Sequence, residues 1–161
     1  MKISEKLQTA INSQIVNELW SVNLYLSMSF CCTKDGFSGF AHWLDKQSIE
    51  EKQHATMLAD YLFKRGGTAK VGAIKEVPFS WGTPLELFKA AYAHECKVSQ
   101  QINDVLDIAI ADKDKASEEF LWTFVREQVE EEATTEDIVN KIKKLGDAAL
   151  YYMDENLGQR K

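Results

Sequence analysis

Residues that break helices crowd into one stretch of this 161-residue chain. Both of its prolines and four of its eight glycines fall within GGTAKVGAIKEVPFSWGTP, residues 66–84. On either side, apolar residues recur at helical spacing with few interruptions. The chain therefore reads as two long helical halves tied by one extended connection. Each half divides once, at Asp35-Gly36 and at ADKDKA. Helices are predicted over about 4–32, 37–65, 84–111 and 116–145, with a short one over 147–157. Ser4 is placed to cap the first, and Gly66-Gly67 to end the second in a left-handed turn. Thr83, Pro84 and Glu86 form a capping-box start for the third.

The two short turns make each half an antiparallel hairpin. The connection between halves, about 16 residues without helical pattern, is too long for a tight turn. Extended, it reaches ~50 Å, enough to run beside a helix of ~45 Å. The expected architecture is all-α: a four-helix bundle with one long crossover and a short fifth helix, forming a single domain over residues 1–161.

Charge narrows the partners. With 25 acidic against 19 basic residues the net charge is −6, which disfavours nucleic acid as a partner. No apolar run is long enough to span a bilayer, and the N-terminal MKISEKLQTAINSQ lacks a signal-peptide core. Cys31, Cys32 and Cys96 make no disulfide framework and no CxxC pair. Reduced thiols in a cytoplasmic protein, with no membrane partner, are expected.

The inward faces carry the unusual feature. Steps of three and four trace Ile11, Ile15, Glu18, Val22, Tyr25 and Ser29 on the first helix. The second gives Phe40, Leu44, Gln47, Glu51, His54 and Leu58, and the third Phe88, Tyr92, Glu95, Val98 and Ile102. The fourth gives Leu121, Phe124, Gln128, Glu131, Thr135 and Ile138. Each apolar stripe is interrupted near its middle by a carboxylate. Like charges buried at one depth repel, and each ion costs several kcal/mol to desolvate. Glu18, Glu51, Glu95 and Glu131 together match the charge of two divalent cations. Glu51 and His54, three residues apart, can share an ion. An oxygen-rich set with one imidazole suits iron or manganese better than zinc. Bundles that hold paired metals use Glu-x-x-His on facing helices, and here Gln128-x-x-Glu131 stands in place of a second such pair.

These features, with the segments NELWSVNLYL, IEEKQH, AHEC and REQVEEE, make the chain resemble the bacterial non-haem ferritins over essentially its whole length. The resemblance implies a ferritin-like di-iron bundle. Its first iron position would use Glu18, Glu51 and His54. Its second would use Glu51 as a bridge with Glu95, with Gln128 and Glu131 close by and Tyr25 beside the pair. A third iron position, towards a storage cavity, would match Glu50, Glu127 and Glu130. Haem is not expected, because Lys52 stands where haem-carrying bacterioferritins have their methionine ligand.

The implied activity is a ferroxidase. Paired Fe²⁺ ions reduce O₂ or H₂O₂, and Fe³⁺ is stored as a hydrated oxide inside a cage of 24 copies. In such cages the short fifth helices meet around fourfold axes. Asp114 or Glu118 could line an acidic iron channel. A peroxide-consuming di-iron bundle of rubrerythrin type is the first alternative, but its paired CxxC motifs are absent. A purely structural cage subunit is the second, and such subunits lack the site glutamates retained here. Tyr25 and Trp122 are candidate electron donors, with packing the simpler role for the tryptophan. His42 and His94 lack ligand partners at helical spacing, and Trp20, Trp43 and Trp81 are expected to pack.

Overall fold

A computed structural model describes residues 2–161 and contains the five helices in the expected order. They are α1 (Glu5–Lys34), α2 (Ser38–Lys64), α3 (Pro84–Ala111), α4 (Lys115–Leu145) and α5 (Leu150–Leu157). The stretch Asp147–Ala149 before α5 is a 3₁₀ turn rather than α-helix. α1 packs along α2 and α3 along α4, α1 also meets α3, and α5 lies against α2. No helix among the described residues is long and apolar enough to cross a membrane.

Local chemistry fixes the ends. Ser4 accepts from the Leu7 amide at 3.1 Å, and Thr83 with Glu86 forms a reciprocal capping box. α1 and α2 both close by the same carbonyl-capping turn, with Gly36 at φ 84° and Gly66 at φ 69°. α3 uses that turn too: the amides of Lys113 and Asp114 reach the carbonyls of Ile110 and Ala109, each at 3.0 Å. There the left-handed position is Lys113, at φ 55°.

The crossover runs along α1. The Thr68 amide donates to Gln8 at 2.8 Å, and Asn12 joins Thr68 and Lys70. Further on, Trp20 donates to the Glu76 carbonyl at 3.4 Å, Ser27 to that of Pro78, and Cys31 to that of Phe79 at 3.5 Å. From Gln8 to Cys31 a helix rises about 35 Å. The connection therefore follows most of α1, as its length allows.

The apolar interior forms two clusters. One gathers Leu24, Met28, Phe40, Leu44, Phe88, Ile138 and Met153; the other gathers Leu7, Ile11, Leu58, Leu62, Ile102, Leu106 and Leu121. Between them each long helix turns polar at one level, with Glu18 and Ser21 on α1, Gln47, Ser48, Glu51 and His54 on α2, His94 and Glu95 on α3, and Gln128 on α4. On α1 the packed stripe beyond this level is Leu24, Tyr25 and Met28, while the expected Val22 is only half-buried. A straight helix drifts against an alternating three-and-four count, so the buried edge moves round over successive turns.

α5 closes the end of the bundle. Apolar Phe37 occupies the N-cap of α2, and the Phe40 amide is taken by Asp154 Oδ1 at 2.7 Å. That places an anion at a helix N-terminus. The approach is close: a Cβ on Gly39 would stand 1.7 Å from the Asp154 carbonyl oxygen. Met153 is buried, while Tyr151 and Tyr152 stay 74% and 65% exposed, leaving two aromatic rings that this chain does not cover.

Candidate metal centre

Two helices, α1 and α2, bring Glu18, Glu51 and His54 together, each at most 6% exposed. One ligand atom from each lies within 4.8 Å of the others. His54 Nδ1 is 3.2 Å from Glu51 Oε2 and 4.0 Å from Glu18 Oε2. Its Nε2 is 3.1 Å from Glu127 Oε1. A ring with carboxylates at both nitrogens donates from both, as an imidazolium. Burial opposes that charge, but the bonds to Glu127 and Glu51 outweigh it and push His54 up to about 11.

Glu18 Oε1 accepts from Gln14 at 2.7 Å. Its Oε2 is buried and finds no hydrogen-bond donor among the described residues. A buried carboxylate oxygen facing two other metal-ligating side chains is what a cation would satisfy. Burial, reinforced by Glu51, holds the Glu18 carboxyl well above its ordinary range, and burial raises Glu51 likewise. Without metal, these acids keep protons that a cation would replace.

Glu95 is fully buried beside this triad and held from two sides. Tyr25 donates to its Oε1, and Gln128 Nε2 donates to its Oε2 at 3.1 Å. Burial still pushes Glu95 up to about 7. Glu131 is only half-buried and accepts from Gln47 Nε2 at 2.9 Å. Gln128 here orients Glu95 through its amide nitrogen.

The carboxylates expected at a third position are each engaged differently. Glu127 pairs with His54, and Glu50 forms an ion pair of 2.6 Å with Arg160; Glu130 is exposed on α4. Asp114, offered above for an iron channel, is buried within the subunit, caps α4 through the Ser117 amide, and pairs with Arg65 at 2.8 Å. Glu118 pairs with Lys115 at 2.8 Å. Trp122 is 45% exposed on this subunit. His94 packs between Trp20 and Tyr25, with Nε2 2.8 Å from Ser21 Oγ, and burial pushes it down to about 4. Cys31, Cys32 and Cys96 are free thiols, and burial pushes Cys32 up to about 12, away from reactivity.

Gln14 and Arg160 were not anticipated as site neighbours. Gln14 could have been found, four residues before Glu18 on the same face. Arg160 lies 110 positions from Glu50, and no local pattern announces it.

A bundle with one long crossover, whose buried middle gathers carboxylates and an imidazole from several helices, defines the class of carboxylate-bridged metal bundles. The chain belongs to the ferritin family: the family model for the Ferritin-like domain matches residues 8–145. It is similar to a bacterial non-heme ferritin of Bacteroides fragilis, 61% identical over 158 residues, covering 98% of this chain and 99% of the relative. A bacterial non-heme ferritin of Staphylococcus aureus is 34% identical over 160 residues, covering 98% and 96%. Among solved structures, the open-pore ferritin of the archaeon Archaeoglobus fulgidus superposes with a TM-score of 0.97 at 40% identity, covering 99% of this chain and 100% of that one.

Proposed function

We propose that this chain is the subunit of an iron-storing ferritin. It oxidises Fe²⁺ with O₂ or H₂O₂ at a paired site, and Fe³⁺ collects as a hydrated oxide within a cage of 24 copies. The observation that carries this reading is the buried triad of Glu18, Glu51 and His54, with Glu18 Oε2 lacking a donor among the described residues.

Iron is the substrate, and the side chains divide the work. Glu18 and His54 hold one ion, Glu51 reaches both, and Glu95 holds the other, with Gln128 and Glu131 beside it. Two ions side by side deliver two electrons together, which takes O₂ to the peroxide level or H₂O₂ to water without releasing superoxide. Carboxylates favour Fe³⁺ over Fe²⁺ and so assist the oxidation. Ion entry requires His54 and Glu95 to give up protons. Tyr25 keeps Glu95 aimed, and its phenol stays protonated because burial and Glu95 hold its titration well above the usual range. Glu50, Glu127 and Glu130 supply a third, outer position through which iron moves to the mineral. Lys52, exposed on α2, leaves haem without its customary ligand.

The test pairs Glu51→Ala with His54→Ala. Fast Fe²⁺ oxidation should vanish while gel filtration still shows the assembled cage. Oxidation kinetics unchanged in that double variant would remove the catalytic assignment. Iron loading separates storage from catalysis, since a shell retains far more iron per chain than its ligands can bind.

A further inference from the structure

The last residues of the chain return to the metal centre. Beyond α5, a Cβ on Gly158 would stand 3.1 Å from Gly39 Cα, so the tail crosses α2 closely. Two residues on, Arg160 lies against α2 with several attachments. Its carbonyl accepts from His42 Nε2 at 2.6 Å, and its Nη1 donates to the Trp43 carbonyl at 3.2 Å. The guanidinium carbon stands 4.8 Å from the centre of the Trp43 ring, and Nη2 meets Glu50 Oε2 at 2.6 Å. Solvated surface ion pairs leave both side chains free to wander. Here the partners on α2 fix the arginine's position and direction.

That position is next to the metal centre. Trp43, Gln47 and Glu50 fall on one stripe of α2, and Gln47 bonds to Glu131 across the bundle. Glu131 feels Glu50 as a repelling neighbour and Arg160 as an attracting one. Without metal, the acids thus divide between two cations. Glu18, Glu51 and Glu127 face His54, whereas Glu50 and Glu131 are served by Arg160. The Arg160 and Glu50 side chains are 22% and 39% exposed, so an arriving ion can reach the pair.

We propose that Arg160 is a positioning residue for the third cation position, a tethered cation that holds Glu50 in the empty centre and yields it to an incoming divalent ion. The inference rests on the reading of Glu50, Glu127 and Glu130 as that position. A guanidinium does not lose its proton at working pH, so it must be displaced bodily, and the tail moves with it. Competition from a built-in cation keeps the third ion weakly held, as an ion in transit to a mineral should be.

The experiment titrates the assembled, iron-free protein with Zn²⁺ by calorimetry. Arg160→Gln should tighten the weakest class of sites roughly fivefold and leave the tighter classes unchanged. Arg160→Lys should fall between, and Lys161→Gln, the neighbouring charge, should do nothing. In a Glu50→Gln background, Arg160→Gln should have no further effect. Amides of residues 158–161 should exchange hydrogen faster once wild type is saturated with Zn²⁺. A third ion seen only in Arg160→Gln would also support the proposal. Three ions of equal affinity in both proteins, or the same tightening from Lys161→Gln, would overturn the role of Arg160 and leave the third position standing. Two ions per chain in both would overturn the role of Arg160 and the third position together.

Discussion

Tyr25 on α1 donates its phenolic hydrogen bond to the carboxylate of Glu95 on α3, 70 positions away in the chain. Both side chains are fully buried, so neither has water as an alternative partner. Tyr25→Phe leaves Glu95 with Gln128 as its side-chain donor. The variant should assemble, but Glu95 should release its proton less readily. The second ion should then bind more weakly and Fe²⁺ oxidation slow by about tenfold, equivalent to one buried hydrogen bond to a charged group. Stopped-flow oxidation and Zn²⁺ titration of the variant give the two readings. An unaltered rate would show that Gln128 alone suffices to place Glu95.

The protons held at the centre predict how stability follows pH. Glu95 moves from 4.5 to about 7 and His54 from 6.5 to about 11 on folding. In both windows the folded chain binds protons that the unfolded chain does not, so stability falls as pH rises. The contribution of His54 is complete below 6.5 and disappears towards about 11. Glu127, held below its ordinary range by the His54 hydrogen bond, loses its contribution only as pH falls below that range. Iron-free protein should therefore be more resistant to urea near about pH 5 than near about pH 8. Metal must displace these protons, so calorimetry in two buffers of different ionisation enthalpy should show proton release on Zn²⁺ binding at neutral pH. A flat stability profile would mean that the centre opens to water before it titrates.

Lys113 occupies a left-handed position that the two equivalent turns give to glycine, at φ 55° against 84° for Gly36 and 69° for Gly66. A side chain at such φ costs about 1 kcal/mol or more, less the entropy glycine loses on folding. Lys113→Gly should raise stability by up to about 1 kcal/mol, read as a higher Tm for the iron-free protein. A lower Tm would mean that the lysine side chain contributes more than its backbone costs.

Gly39 has no space for a larger residue, because the obstacle is the Asp154 backbone and not a movable side chain. Gly39→Ala should push α5 off α2 and remove the Asp154 bond to the Phe40 amide. A cost of about 1–3 kcal/mol is expected, with helical circular dichroism largely kept and assembly impaired on gel filtration. Intact assembly would show that α5 can dock elsewhere.

Most of the bundle was legible because its signals are local. The breaker-rich interval marked the crossover, and Ser4, Thr83 and Gly66 marked helix ends by chemistry confined to a few neighbouring residues. The central carboxylates stood out because a charged residue inside an apolar stripe needs a reason. Relations between distant segments were less visible. Nothing around Asp114 shows that Arg65, 49 positions away, pairs with it. Nothing around Glu50 shows that the tail reaches it. The drift of the buried edge from Val22 to Leu24 and Met28 likewise depends on how α1 meets its neighbours.

The layer of polar side chains through the bundle also interrupts the hydrocarbon that would otherwise run from end to end. The subunit's apolar packing falls into two blocks joined by this polar layer, so without iron local opening is expected to start there. Ions bound across α1, α2 and α3 would act as a rivet at that waist, slowing amide exchange in mid-helix more than at the ends. Cargo and scaffold would then be coupled, with the filled centre making the two blocks respond as one.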